Sequence, residues 1–190
     1  MLVTLSAAPG RSSSESFGGR RLEAMKILVI RFRQMGDAVL ATALLNSIRR
    51  SFPDAEIHFV LNSQLADLFA GHPSVDRVIS FTPEVRHSPL RYLWKILKLM
   101  AFERYDAVID MRSTPNCLPF SLFAPFARLR VGLRKGYTRF VMNRRIPVGD
   151  ASVDVVTHNL RFLEPLAVFG PVSPTRDFSL SVTPDELTNY

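Results

Sequence analysis

The chain has 190 residues, 47% hydrophobic and 22% charged, enough for one buried core and too little charge for a wholly disordered chain. A single cysteine, Cys117, excludes an internal disulfide framework and fits a reducing, cytoplasmic setting. Cations exceed acids by 24 to 17, for a net +7, and 20 of the 24 are arginine. The planar guanidinium suits phosphate and carboxylate, so the bias points to an anionic partner, although a GC-rich genome produces the same bias.

Residues 1–24 are rich in Ser, Gly and Arg without periodicity, which predicts a disordered leader. Their basic residues follow the apolar stretch, the reverse of a signal peptide. Met25 directly precedes a strand-like run and is a second candidate start. Ile27–Ile30 reads as a buried parallel strand, followed by a polar turn, Arg31 to Gly36. Asp37 then stands where a helix starts, with Val39, Leu40, Ala43, Leu44 and Ile48 at helical spacing. Glu56–Leu61 reads as strand two, Ser63–Ala70 as a short helix and Val75–Phe81 as strand three. Pro89–Arg104 reads as a helix, Asp106–Met111 as strand four, Cys117–Ala127 as helical, Arg128–Leu133 as strand five and Val153–Phe169 as a last helix. This alternation predicts an α/β domain over 25–170, with a Rossmann-like parallel sheet and helices on both faces. Prolines at 171, 174 and 184 make 171–190 look like the start of an interdomain linker. No run approaches the ~18 apolar residues of a spanning helix.

In parallel sheets, sites lie at the strands' C-terminal edge. The turn after strand one holds one glycine, Gly36, and lacks the G-x-G-x-x-G that admits a pyrophosphate, so nicotinamide or flavin binding is not expected there. It offers instead a carboxylate, Asp37, flanked by Arg31 and Arg33. Such a group either caps the helix or accepts a proton from a substrate hydroxyl. Asp110, ending strand four, lacks the acidic cluster that a phospho-accepting site uses for its cation. It is expected to brace its loop or pair with Arg112. From Met111 to Gly149 there is no acidic residue, while Arg112, Arg128, Arg130, Arg134, Lys135, Arg139, Arg144 and Arg145 are all cationic. This is an anion-binding surface or a solvated basic face.

On the helix from Pro89, Arg91, Lys95 and Lys98 share a stripe among apolar and aromatic neighbours. The pattern fits an anionic membrane surface, or a core helix with a wet stripe. Four scattered histidines and one cysteine predict no zinc site. No G-x-S-x-G surrounds Ser113. His158 reads as a helix residue with a satisfied hydrogen bond. Nucleic-acid motifs are absent from the sequence.

The opening MKILVIRFRQMGDAVLATALLNSIRRSFPDAEIHFVLN resembles that of the ADP-heptose–lipopolysaccharide heptosyltransferases, glycosyltransferase family 9. VDRVISF, ERYDAVIDMRS, RVGLRKGYTRFVMNRRIP and VVTHNLRFLEPLAVFG fit in order, so the similarity covers about residues 25–185. It implies the first, acceptor-side domain of a two-domain GT-B enzyme, with the ADP-sugar site mainly on a second domain. It implies inverting, metal-independent transfer of a heptose or hexose without a cofactor, on an anionic glycolipid acceptor of the lipopolysaccharide inner core. The setting would be cytoplasmic, with peripheral contact at the inner membrane and no nucleic acid. Asp37 matches the catalytic base. Arg31 stands near the donor, Met35 and Gly36 shape the turn under the sugar, and Arg86, Arg112, Arg134 and Arg139 lie where the acceptor binds. Such a domain alone is expected to be inactive. Phe32-Arg33-Gln34 replaces the small Ser-rich turn of many relatives, which leaves the exact sugar and acceptor open. The competing reading is a non-catalytic α/β module that binds anionic sugars or phosphates.

Overall fold

The computed structural model describes residues 24–32, 35–149 and 152–178. The leader over 1–23, Arg33 and the tail beyond 178 lie outside the described residues. Six strands run parallel in one sheet, in the order β3-β2-β1-β4-β5-β6. They are β1 (Lys26–Ile30), β2 (Glu56–Asn62), β3 (Arg77–Phe81), β4 (Ala107–Asp110), β5 (Leu129–Leu133) and β6 (Arg144–Ile146). The order reverses between β1 and β4, so a crevice opens beyond their C-terminal ends.

Burial on both faces explains the continuous apolar strands. Ile27, Val29, Ile57, Phe59 and Ile109 face one side, against Leu44, Leu45 and Ile48 of α1 (Met35–Ser51) and against Phe162, Leu163 and Leu166. Leu28, Ile30, Val60 and Val108 face the other side. There they meet Ile96 and Met100 of α3 (Pro89–Glu103) and Phe120 of α4 (Leu118–Leu122). α2 (Pro83–His87) is a single turn before α3, and α5 (Val155–Leu160) packs on α1. Asp37 in the first turn of α1 and Arg49 and Arg50 in its last complement the helix dipole.

The elements depart from sequence expectation where proline, glycine or charge intervenes. The helix expected over 153–169 is α5 followed by a separate 3-10 turn, Glu164–Val168. Pro165 has no N–H to donate, and its ring crowds the preceding turn. The helix expected over 117–127 shrinks to α4, since Pro125 disfavours α-helical Ala124. Ser63–Ala70 forms two 3-10 turns, Ser63–Leu65 and Asp67–Phe69, ahead of the left-handed Gly71. α1 begins at Met35, so Asp37 lies inside its first turn rather than at its cap. β6 escapes a pattern search because two of its three residues are exposed arginines on the sheet's edge. Residues 173–177 run antiparallel to α1 and are pinned to it. The Ser51 hydroxyl accepts from Ser173 N–H, Ser47 from Thr175 N–H, and Asn46 donates to Asp177 C=O. This segment heads toward the edge that carries Asp37.

Candidate active site

The ends of β1 and β4 build the site. Beyond β1, Arg31 is buried and its guanidinium reaches two ways, to the Met111 carbonyl (3.3 Å) and to the Asp37 carboxylate (3.7 Å). Phe32 follows, its ring packed on Phe81 and Phe120. The Arg86 guanidinium lies 5.1 Å from the Phe32 ring centroid and donates to Asn62 (2.7 Å). Arg112 donates to the Phe32 carbonyl at 3.3 Å. Phe32 thus holds the basic groups of two loops in place, Arg86 through its ring and Arg112 through its backbone carbonyl.

The β4 loop is rigid. The Asp110 Oδ1 accepts the backbone N–H groups of Arg112 (3.0 Å) and Ser113 (2.6 Å), which stabilises Ser113 at φ 49°, in the left-handed region. Asp110 therefore braces its loop, as expected. Burial raises its carboxyl to about 6, while the Ser113 and Arg112 N–H groups and the Lys135 charge oppose that rise. The Ser113 hydroxyl is spent on the Asp110 carbonyl and the Leu133 N–H, so it is structural. Cys117 is buried and its thiol is pushed up to about 12, which removes it as a nucleophile at neutral pH. Lys135 donates to the Arg112 and Ser113 carbonyls, and Tyr137 also donates to Ser113.

Two hollows flank this junction, and Asp37, Arg112 and Thr114 line both. The larger, about 850 Å³, adds Met35, Asn62, Gln64, Arg86 and Asn116. The smaller, about 620 Å³, adds Arg31, Lys135, Gly149, His158 and Asn159. Among the described residues, Asp37 is the carboxylate shared between the two compartments, which are otherwise lined by cations, amides, a hydroxyl, a histidine and apolar groups. Its side chain is 22% exposed, enough to reach a ligand.

The expected residues divide. Asp37, Arg31, Met35, Arg86 and Arg112 come together around the hollows. Gly36 is exposed at the start of α1, and a methyl there would touch nothing within 4 Å. Arg134 and Arg139 are exposed and line neither hollow; Arg139 stacks on Phe140 at 4.4 Å. His158 corrects its expectation of a satisfied hydrogen bond, since its Nδ1 is buried without a partner. Burial and the charges of Arg161 and Arg31 lower its proton affinity, which keeps it neutral at pH 7. Asn159 presents an unpartnered buried Oδ1 while its amide donates to Leu40. Asn62, Gln64, Thr114 and Asn116 were also missed as site residues, whereas Lys135 belongs to the basic stretch expected to bind an anion. The available signal for those four was their place at or just past the ends of β2 and β4.

No protein-family model matches the chain. A curated relative, lipopolysaccharide heptosyltransferase 1 of Campylobacter coli, is 25% identical over 88 residues, spanning 46% of this chain and 25% of the relative. Among solved structures, a glycosyl transferase family 9 protein of Veillonella parvula superposes with TM-score 0.71 at 19% identity, covering 88% of this chain and 48% of that one. Escherichia coli heptosyltransferase WaaC, solved with ADP-2-deoxy-2-fluoro heptose, gives TM-score 0.66 at 18% identity, covering 82% and 52%. E. coli ADP-heptose lps heptosyltransferase II gives 0.64 at 20%, covering 86% and 49%. The chain spans about half the length of these structures, and over that half it shares the Rossmann-like fold of the family 9 heptosyltransferases.

Proposed function

We propose that this chain forms the acceptor-side half of a heptosyltransferase-like glycosyltransferase, with Asp37 as its general base. The observation that carries the reading is the position of Asp37, the single carboxylate among the described residues that line the two hollows at the reversal point of the sheet. In this reading the larger hollow takes the anionic acceptor, with Arg86 and Arg112 bound to its charges. The Asp37 carboxylate accepts the proton of an acceptor hydroxyl. The freed oxygen electron pair attacks the anomeric carbon of the sugar, and the bond from that carbon to the nucleotide's phosphate oxygen breaks. ADP leaves with that electron pair, and the anomeric carbon is inverted. Asp37 works mainly through position.

ADP-heptose as donor is supported by the ligand named with the E. coli WaaC structure and by the name of the second E. coli enzyme. Lipopolysaccharide as acceptor is supported by the name of the Campylobacter relative. The donor would be held by a second domain. Metal independence is supported by the donor set, since the described residues lining the hollows include one carboxylate among cations.

The test is sugar transfer by the full-length protein from ADP-heptose to a lipopolysaccharide core acceptor, with and without EDTA. Asp37→Asn is expected to lower kcat by about 10²–10⁴-fold, with acceptor affinity retained and EDTA without effect. Undiminished turnover in that variant overturns the base assignment, and acceptor binding without transfer by the full-length wild type favours the non-catalytic module.

A further inference from the structure

The outer face of α3 is apolar where a helix on a sheet is ordinarily polar. Tyr92, Ile96 and Met100 form the buried stripe. On the opposite side Leu90 is 81% exposed, Trp94 59% and Leu97 40%, with Leu93 beside them. At 100° per residue, Leu90, Leu93, Trp94 and Leu97 fall within one arc of about 100°. Arg91 and Lys98 border that arc on one side, and Phe102, 82% exposed, lies beyond them. Lys98 lies 5.3 Å from the Trp94 ring centroid. At the helix's end, Arg104 covers the exposed ring of Phe126 at 5.1 Å.

The charge pattern selects the occupant. From Val85 to Phe102 there are four cations, Arg86, Arg91, Lys95 and Lys98, and no acid. Glu103 ends the helix, and its carboxylate is occupied by Lys26 and Arg77. The exposed face of α3 carries no Ser, Thr, Asn or Gln to form the hydrogen bonds of a protein interface. Interfaces between proteins are also depleted in lysine. A second copy packed on this face would set Arg91 and Lys98 against their own images. Leucine and tryptophan flanked by cations match the apolar boundary and anionic headgroups of a lipid surface.

We propose that α3 docks this protein on an anionic membrane surface, with Leu90, Trp94 and Leu97 at the acyl boundary and Arg91 and Lys98 on lipid phosphates. α3 follows the C-terminal end of β3 and the turn that carries Arg86, so its first residues lie at the edge of the sheet that holds Asp37. Docking along this helix brings that edge close to the lipid.

Trp94 is the chain's single tryptophan, so its emission reports this face alone. The chain is mixed with vesicles of phosphatidylcholine, or of equal parts phosphatidylcholine and phosphatidylglycerol. A blue shift and co-flotation are expected with the anionic vesicles and are weakened by salt. Arg91→Gln with Lys98→Gln is expected to lower partitioning by about 30-fold. Trp94→Ser with Leu97→Ser abolishes flotation with an unchanged circular dichroism spectrum, because both side chains are exposed. The proposal is overturned by equal binding to the two vesicle types, or by an Arg91/Lys98 variant that binds as wild type. A lipid-free dimer lost in the Trp94/Leu97 variant also overturns it, in favour of self-association. These vesicles carry no sugar core, so the outcome is independent of the transfer reading.

Discussion

The two edges of the sheet handle charge in opposite ways. At the N-terminal edge, the Lys26 ammonium lies 3.0 Å from Glu56 and 3.2 Å from Glu103. Glu103 also pairs with Arg77. His58, in the core, joins Glu56 (2.8 Å) to the Tyr105 hydroxyl (2.7 Å). Burial alone would raise Glu56 and Glu103, but their partners hold both carboxyls below the usual range, and Glu56 above all raises Lys26. Glu56, His58 and Glu103 gather as closely as metal ligands, yet the Lys26 ammonium already bridges the two carboxylates. At the C-terminal edge, His158 Nδ1, Asn159 Oδ1 and Asp110 Oδ2 are buried without partners. The Lys26–Glu56–Glu103 cluster satisfies its charges internally, while His158 and Asn159, which line the smaller hollow with Asp37, each keep a buried polar atom unpartnered. Unsatisfied buried groups cost stability, so their concentration beside Asp37 marks the edge that serves a ligand.

The largest expected effect separates the edges by function. Asp37→Asn lowers transfer by about 10²–10⁴-fold while lowering stability by only about 1 kcal/mol, through the lost helix-dipole and Arg31 interactions, read by turnover and by urea unfolding. A comparable loss of stability would place Asp37 with the structural charges instead. Next, Arg86→Ala or Arg112→Ala weakens acceptor binding by about 10- to 100-fold, measured by titration calorimetry. Arg134→Ala with Arg139→Ala changes it far less, because neither lines a hollow.

Two stability predictions sharpen the contrast. Asp110 rises from 3.8 when unfolded to about 6 when folded. The folded state therefore binds its proton more tightly, so its contribution is most favourable below pH 4 and declines as pH rises through 6. Over that window the change is up to about 3 kcal/mol. Asp110→Asn is expected to remove this dependence and to be no less stable than wild type at pH 7, read by urea midpoints at several pH values. At the other edge, Tyr105→Phe strips the buried His58 Nδ1 of its partner and costs about 1–3 kcal/mol, with no effect on acceptor affinity.

The strands and the site differ in how far they were legible. Ile27–Ile30, Glu56–Leu61 and the apolar run after Asp106 announce themselves because burial on both faces demands unbroken apolar segments. Asp37 was legible because it stands one short turn after the first strand, where local sequence is also local space. His158 and Asn159 were not, since more than a hundred residues separate them from Asp37 and only the packing of α5 on α1 brings them to it. Arg86 and Arg134 looked alike as cations beyond strand ends. Packing on Phe32 turned the first toward the hollow, while the second stayed in solvent.

The sequence by itself determined the parallel α/β architecture, the basic acid-free stretch and the carboxylate after the first strand. Each depends on short-range pattern, namely apolar runs, helix spacing and charge counts. The tertiary structure decided which cations face a ligand, which polar groups are left unpartnered, and that Leu90, Trp94 and Leu97 of α3 lie outside the core while Tyr92, Ile96 and Met100 lie within it. Those outcomes depend on contacts between segments far apart in the chain, which no local pattern encodes.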